Sequence, residues 1–231
     1  MTQVQGSLFG SGELAIHADH PVRRTWLDAH CWIDEVHGWL GGQMELYDRL
    51  ARADIWHRAE RPMFGRMVLE PRLSAGMRAR HPHTPAVVRR MATELAGRYG
   101  VGMGGIWLNW YRDGQDAVAW HADRIGRAHK EPPVAIVSLG STRRFLLRPK
   151  GGGPSAIFTP AGGDLLVMGG ACQHRWEHSV PRARHGGPRI SVTFRPTTAR
   201  KEDQEDWAPG RVTGPASAPV PGRPLRGGRS V

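Results

Sequence analysis

Cysteine is nearly absent from the sequence: Cys31 and Cys172 are the only two among 231 residues. Two cysteines are too few for a disulfide scaffold or for a cysteine-based zinc site, and they favour a reducing compartment. No apolar run approaches the roughly 18 residues that span a membrane, and the first residues lack the basic and apolar segments of a secretory leader. We therefore expect a cytoplasmic protein with no membrane association.

Acidic residues are scarce relative to basic ones, 21 against 32, which gives a formal net charge of +11 and a sequence pI near 11.0. Such a charge suits a polyanionic partner such as nucleic acid. It does not identify that partner by itself, because many arginine-rich proteins bind no polyanion. The length is sufficient for one domain with a substantial core plus appendages.

Helical patterns lie in the first half of the chain. Thr25 and Asp28 resemble a capping box ahead of an apolar stripe. Thr84 and Pro85 resemble an N-cap followed by proline at the first helical position, and Gly100 is a typical stop. The predicted helices are 25–40, 44–53 and 85–99.

Strand patterns dominate from Gly105 onward, where short segments are separated by glycine-rich turns. Many short strands with such turns favour a sandwich or jelly roll, with the helices bracing one sheet. Before this region, 66–69 looks like a strand and 74–83 is predicted to be an irregular loop. The predicted later strands are 106–111, 134–139, 143–147, 156–158, 164–168, 176–180 and 189–195.

These patterns divide the chain into three regions and predict a mainly β protein with flanking helices, in the α+β class. Residues 1–61 form an N-terminal extension with bracing helices, and residues 62–196 form the core. Residues 197–231 shift to proline, glycine, alanine, serine and arginine without periodicity, and they are predicted to be disordered.

A metal site is indicated by His121 and Asp123. They are two residues apart in a strand-like segment, so both side chains can point to one face and converge on one ion. A third ligand must come from elsewhere, and His174, His178 and His185 are all within reach of that role. Two histidines and one carboxylate leave half of an octahedron open, as in the facial triad of non-haem Fe(II) oxygenases.

Two arginines, Arg189 and Arg195, lie six residues apart on one predicted strand. They share a face with Ser191 and Thr193, whereas the residues between them are apolar. A polar face with two cations beside a metal suits a small dicarboxylate.

Taken together, these residues resemble the AlkB family of Fe(II)- and 2-oxoglutarate-dependent dioxygenases. The resemblance covers about 64–196 and selects His178 as the third metal ligand. It implies a double-stranded β-helix, or jelly-roll, core, with Fe(II), 2-oxoglutarate and O₂ taking part in the reaction. It rests on four spaced elements: Asn109-Trp110-Tyr111, His121-x-Asp123, Trp176-x-His178-x-x-Pro181 and Arg189 followed six residues later by Arg195.

The resemblance also implies roles in a cosubstrate pocket. Arg189 and Tyr111 would hold the distal carboxylate of 2-oxoglutarate, and Arg195 and Asn109 would support the end nearer the metal. The family often has asparagine where this chain has Ser191, so one cosubstrate contact is expected to pass through water.

On the substrate side, the segment around Arg66 and Arg72 resembles the lid of AlkB relatives that repair DNA, in which an alkylated base is flipped out and inserted above the iron. A basic loop without a binding role explains 74–80 equally well. Well-known DNA-repair members carry an acidic residue soon after the metal aspartate, but this chain has arginine, which cannot accept a hydrogen bond. The residues predicted to bind nucleic acid are Arg66, Arg72, Met77, Arg78, Arg80, Arg124 and Arg127.

The function expected from the resemblance is oxidative dealkylation of alkylated nucleobases in DNA or RNA by a monomer, giving succinate, CO₂ and an aldehyde. Residues 62–196 would then hold a nucleotide lid and the dioxygenase core. Two alternatives stay open. One is a 2-oxoglutarate-dependent hydroxylase of a protein side chain or small metabolite, and the other is a nucleic-acid-binding module whose triad no longer turns over.

Overall fold

The computed structural model describes residues 12–63, 66–123 and 130–197, of which 61–63 and 66 are described by their backbone alone. This part of the chain contains two large antiparallel sheets and three helices. The helices are α1 (Gln43–Ala51), α2 (Ala86–Tyr99) and α3 (Cys172–Arg175). The strands are β1 (Arg23–Trp26), β2 (Cys31–Val36), β3 (Glu60–Met63), β4 (Arg66–Leu69), β5 (Leu73–Arg78), β6 (Gly105–Tyr111), β7 (Val118–His121), β8 (Val134–Gly140), β9 (Phe145–Pro149), β10 (Ala156–Phe158), β11 (Leu165–Gly170), β12 (Trp176–Val180) and β13 (Arg189–Arg195).

Two sheets face each other and enclose a core between them. The larger sheet has seven strands in the order β1-β2-β11-β8-β13-β6-β5, and the smaller has four in the order β10-β9-β12-β7. Neighbouring strands in both sheets run antiparallel. A separate hairpin, β3-β4, precedes β5. The predicted mainly β architecture is therefore confirmed.

The larger sheet is buried on both faces, as the alternation of residues along β8 shows. Val134 and Ile136 lie in the core between the two sheets, whereas Ala135 and Val137 lie in a second core beneath α1 and α2. Because successive side chains of a strand point to opposite faces, one apolar strand can serve both cores. Helices α1 and α2 pack on this second face of the sheet.

Strand β13 shows the two faces predicted from its sequence. Ile190, Val192 and Phe194 are fully buried in the core on the helix side. Arg189 and Ser191 alternate with them and line a pocket between the two sheets. The fold thus sets a polar strand face inside the jelly roll.

The predicted helix over 25–40 is wrong, because residues 23–36 form the hairpin β1-β2. Asp28 does not cap a helix; its carboxylate accepts a hydrogen bond from the backbone N–H of His30 (2.8 Å) in the turn. Strand β2 contributes Ile33 to the core between the sheets and Val36 to the core on the helix side. Burial on both faces removes the polar alternation that marks a strand and imitates a helical stripe.

A second correction concerns 74–83, where β5 replaces the first half of the predicted loop and pairs with β6 along its length. Its small residues Ala75 and Gly76 have low strand propensity, so the sequence of this segment does not indicate a strand. The N-cap of α2 is Pro85, and the hydroxyl of Thr84 instead donates to the carbonyl oxygen of Arg78 (2.7 Å). The stop at Gly100, the helix at 44–53 and the other strands are confirmed to within two residues.

Two predicted regions extend beyond the described residues. The N-terminal extension is described from residue 12, and residues 198–231 of the predicted tail lie outside the described part. None of the helices within the described ranges has the length and apolar character that a bilayer crossing requires.

Candidate metal and cosubstrate site

Three predicted metal ligands meet between the sheets. His178 on β12 is the direct partner of His121 on β7, and their ring centroids are 4.2 Å apart. Asp123 follows β7 by two residues, and ligand atoms of the three side chains lie within 4.8 Å of one another. His174 instead places its Nε2 2.9 Å from the carbonyl oxygen of Lys130. The structure thus assembles the set that includes His178.

The two histidines are held in different ways. Nδ1 of His121 lies 2.9 Å from the carbonyl oxygen of Ala119. A carbonyl oxygen can only accept a hydrogen bond, so Nδ1 carries the hydrogen and a neutral ring has its lone pair on Nε2. Burial lowers the pKa of His178 to about 3, and its ring stacks on Phe145 with centroids 5.2 Å apart. A neutral imidazole in a fixed orientation is the form that binds a metal ion.

The carboxylate of Asp123 has one oxygen paired and one without a partner. Its Oδ1 accepts a hydrogen bond from Nη2 of Arg195 (2.5 Å). Its Oδ2 is buried and has no hydrogen-bond partner among the described residues. Burial would raise the pKa of Asp123, but Arg195 and the two histidines outweigh it and hold the pKa below its usual range. An ionised, buried oxygen without a partner fits a divalent cation.

The ion pair between Arg195 and Asp123 was not predicted. Arg195 lines the same pocket as Arg189, as expected, but one of its amino groups is committed to the metal ligand. Residues 123 and 195 are far apart in sequence, and no local pattern pairs them. Arg195 therefore holds the ligand carboxylate ionised and oriented.

Arg189 is a buried cation without an acidic partner among the described residues. Its side chain is one of the largest that the described structure buries completely, and none of the ion pairs of the described residues includes it. Nη2 donates to the hydroxyl of Ser138 (2.9 Å), whereas Nε has no partner in the described structure. Burial lowers the pKa of this guanidinium. A buried charge without a partner is costly, so the site fits a carboxylate ligand.

Tyr111 lies beside Arg189, with the guanidinium carbon 5.5 Å from the ring centroid. The phenol is buried, and burial raises its pKa, so it stays a neutral hydrogen-bond donor. Ser138, which is fully buried behind the pocket lining, holds Arg189 in place. It was missed by sequence reasoning, although a lone serine in the apolar run of β8 was a usable signal.

Asn109 and Arg72 form the opposite polar wall. Oδ1 of Asn109 accepts hydrogen bonds from Nε of Arg72 (2.9 Å) and from the hydroxyl of Ser74 (3.3 Å). Arg72 is only 4% exposed, and its Nη2 lies 3.1 Å from a carboxylate oxygen of Glu70. The assignment of Arg72 to phosphate contact is therefore corrected, because its guanidinium is buried in the pocket wall.

Other predicted nucleic-acid contacts lie away from the metal pocket. Met77 packs against the core on the helix side because it shares a face of β5 with Ala75, so it does not face a base. Arg78 and Arg80 line a separate cavity of about 440 Å³ beside α2. Arg66 is described by its backbone in β4 alone, and 124 and 127, both arginines, lie outside the described residues.

Comparisons with known proteins agree with this geometry. A family model described as the 2OG-Fe(II) oxygenase superfamily matches residues 71–195. Alpha-ketoglutarate-dependent dioxygenase alkB homolog 3 from Homo sapiens is 30% identical over 154 residues, covering 62% of this chain and 51% of that protein, so the chain spans about half the length of this relative. DNA oxidative demethylase ALKBH2 from Homo sapiens is 30% identical over 177 residues, covering 70% of this chain and 67% of that protein.

A solved structure, that of OsALKBH1, shares the fold, with a TM-score of 0.57 at 16% sequence identity over 76% of this chain and 100% of that chain. The matched segment 71–195 contains the three metal ligands and both arginines of β13. The chain belongs to the 2OG-Fe(II) oxygenase superfamily and, within it, to the AlkB family.

Proposed function

We propose that this protein removes alkyl groups from nucleobases in DNA, with Fe(II) as cofactor and with 2-oxoglutarate and O₂ as cosubstrates. The observation that carries the proposal is the shared pocket. The metal ligands His121, Asp123 and His178 open into the same space as Arg189, a buried guanidinium with no acidic partner in the described chain.

The metal ligands and the residues around Arg189 have separate tasks in this reaction. His121, His178 and Oδ2 of Asp123 hold the metal, and Arg195 keeps the aspartate ionised. Arg189 binds the distal carboxylate of 2-oxoglutarate through charge-assisted hydrogen bonds, supported by its neighbours Tyr111 and Ser138. When bound, Fe(II) supplies the oxidation of an unactivated C–H bond, with one atom of O₂ entering succinate and the other entering the substrate.

The remaining walls of the pocket exclude water. Val118, Ile136, Phe145 and Val180 line it beside the metal ligands, and the last three are buried. A dry pocket strengthens the charge pairing of the cosubstrate and protects a reactive site from side reactions.

The nucleobase substrate is supported by the relatives and by the surface near the pocket. The relative that is 30% identical over 177 residues is a DNA oxidative demethylase by name, and the formal net charge of +11 suits a polyanion. On β4, Met67 and Leu69 are 59% and 51% exposed and share one strand face. The chain then runs within three residues to Arg72 in the pocket wall. Exposed apolar side chains on the hairpin that leads into the pocket wall suit the face of a flipped base.

The chemistry balances for an N-alkylated base. The alkyl carbon gains a hydroxyl group, the C–N bond breaks, the base nitrogen recovers its proton or lone pair, and the carbon leaves as an aldehyde. 2-Oxoglutarate is oxidised to succinate and CO₂ in the same turnover. We also propose that the protein acts as a monomer.

A repair assay tests the proposal. The full-length protein with Fe(II) and 2-oxoglutarate is incubated with an oligonucleotide carrying an N-methylated base, and formaldehyde and the restored base are measured. Formaldehyde is expected from the methylated strand only, and the matched variants His178→Ala and His174→Ala should be inactive and active, respectively. Succinate release without formaldehyde would favour the hydroxylase alternative. Formation of neither succinate nor formaldehyde would favour the nucleic-acid-binding module whose triad does not turn over.

A further inference from the structure

The backbone of Asp123 needs support that its strand does not provide. Strand β7 ends at His121, two residues earlier, and the pair His121–His178 is the last one in its ladder with β12 on the side of Asp123. The sheet ladder therefore fixes the two histidines but leaves the peptide of the aspartate to other contacts.

Gln173 makes such a contact. Its Oε1 accepts a hydrogen bond from the backbone N–H of Asp123 (3.2 Å), and its side chain is buried, with only 4% of the residue exposed. Nε2 of the same amide donates to Sδ of Met168 (3.7 Å), and Nζ of Lys150 donates to the carbonyl oxygen of Gln173 (3.1 Å). Both ends of the glutamine are thus fixed by neighbours on β11 and beside β9.

The position of Gln173 links two metal ligands. It lies in α3, the short helix that leads directly into β12, five residues before His178. A hydrogen bond from α3 to the peptide of Asp123 therefore ties the aspartate to the segment that carries the distal histidine. Arg195 fixes the carboxylate of Asp123 from the other side.

We propose that Gln173 is a positioning residue for the metal site. It does not touch the metal; it holds the peptide of Asp123 so that Oδ2 faces the two histidines. The proposal rests on the metal centre of the proposed function but not on its substrate. Loss of a group that orients a metal ligand typically lowers metal affinity by about 10- to 100-fold.

Three variants of the full chain separate positioning from mere packing. Gln173→Leu keeps the bulk but removes the acceptor, and Gln173→Glu restores an acceptor oxygen at the same reach. Met168→Leu is the matched control, because it removes the other partner of the amide with little change in volume and leaves the bond to Asp123 intact. Thermal unfolding in a chelator establishes that each variant is folded.

The readout is the affinity of the metal-free protein for Mn(II), a probe that binds the same donor set without turnover. Gln173→Leu is expected to bind about 10- to 100-fold more weakly, whereas Gln173→Glu and Met168→Leu stay within a few fold of the parent. Equal affinities of the parent and a folded Gln173→Leu variant would overturn the positioning role and leave the proposed function standing. A parent that binds no Mn(II) would overturn both.

Hydrogen exchange in the parent gives a second test that needs no variant. The amide of Asp123 is expected to exchange slowly in the metal-free protein, because it is bonded to a buried acceptor. Exchange at the rate of an unprotected amide would overturn the inference, whether or not Gln173→Leu folds.

Discussion

Replacing Arg189 with methionine is expected to weaken the binding of 2-oxoglutarate while making the empty protein more stable. The guanidinium is 1% exposed and is bonded to the hydroxyl of Ser138 (2.9 Å), with no acidic partner in the described chain. In the variant, the distal carboxylate of 2-oxoglutarate would be buried without a cation. In the empty protein, by contrast, the substitution removes a buried charge that has no counterion.

The magnitude follows from the burial of the pair. Loss of one member of a buried, hydrogen-bonded charge pair costs about 2–5 kcal/mol, part of which is the penalty for leaving the other charge unpaired. At about 1.4 kcal/mol per factor of ten, the 2-oxoglutarate concentration for half-maximal rate should rise by at least about 30-fold. Replacing an uncompensated buried cation by an apolar side chain should raise the Tm of the protein without 2-oxoglutarate.

Two measurements check this prediction for Arg189. Succinate formation is followed against 2-oxoglutarate concentration, and thermal unfolding is followed with and without the cosubstrate. Arg189→Lys is the control: it keeps the charge but not the planar fork, so it should fall between the parent and Arg189→Met. A 2-oxoglutarate requirement unchanged in Arg189→Met would refute the assignment, and a loss of DNA affinity in its place would assign the arginine to the substrate.

The other predictions concern the distal ligand and the basic surface. His178→Ala should abolish Mn(II) binding while His174→Ala retains it, and the reverse in a metal titration would show that the wrong histidine was selected. Burial lowers the pKa of His178 to about 3 from 6.5, so between these pH values the unfolded chain binds a proton that the folded chain does not. The free energy of unfolding of the metal-free protein should therefore decrease as the pH is lowered through this window, by up to about 1.4 kcal/mol per pH unit. Denaturant titrations of His178→Leu should lack this slope. Converting Arg78 and Arg80 together to alanine should flatten the plot of log DNA affinity against log salt by roughly one to two units, and an identical slope would place both side chains off the binding face.

The metal ligands could be predicted from the sequence because two of them are close in the chain. His121 and Asp123 share a face by strand periodicity, and the segment around His178 carries a recognisable motif. The strand face that carries Arg189 could also be predicted, because apolar residues alternate with polar ones along β13. Which residues share a face of a strand depends only on the local sequence, so it can be predicted without knowledge of the fold.

The partners of these residues could not be predicted, because they come from strands distant in the chain. Ser138 and Gln173 meet the site only through sheet order and through α3, the short helix before β12. The misassigned hairpin β1-β2 has a related cause: a strand buried on both faces has no polar side to reveal its period. Burial of Arg72 likewise depends on Asn109 of β6, 37 residues away, as well as on the nearby Glu70.

The stoichiometry of a single reaction tests the central claim most directly. With full-length protein, Fe(II) and excess 2-oxoglutarate, formaldehyde and succinate are quantified together on an oligonucleotide with one N-methylated base. One formaldehyde per succinate, with restoration of the unmodified base, is the predicted result. Succinate formed at the same rate with unmethylated oligonucleotide, and without formaldehyde, would contradict a DNA dealkylase.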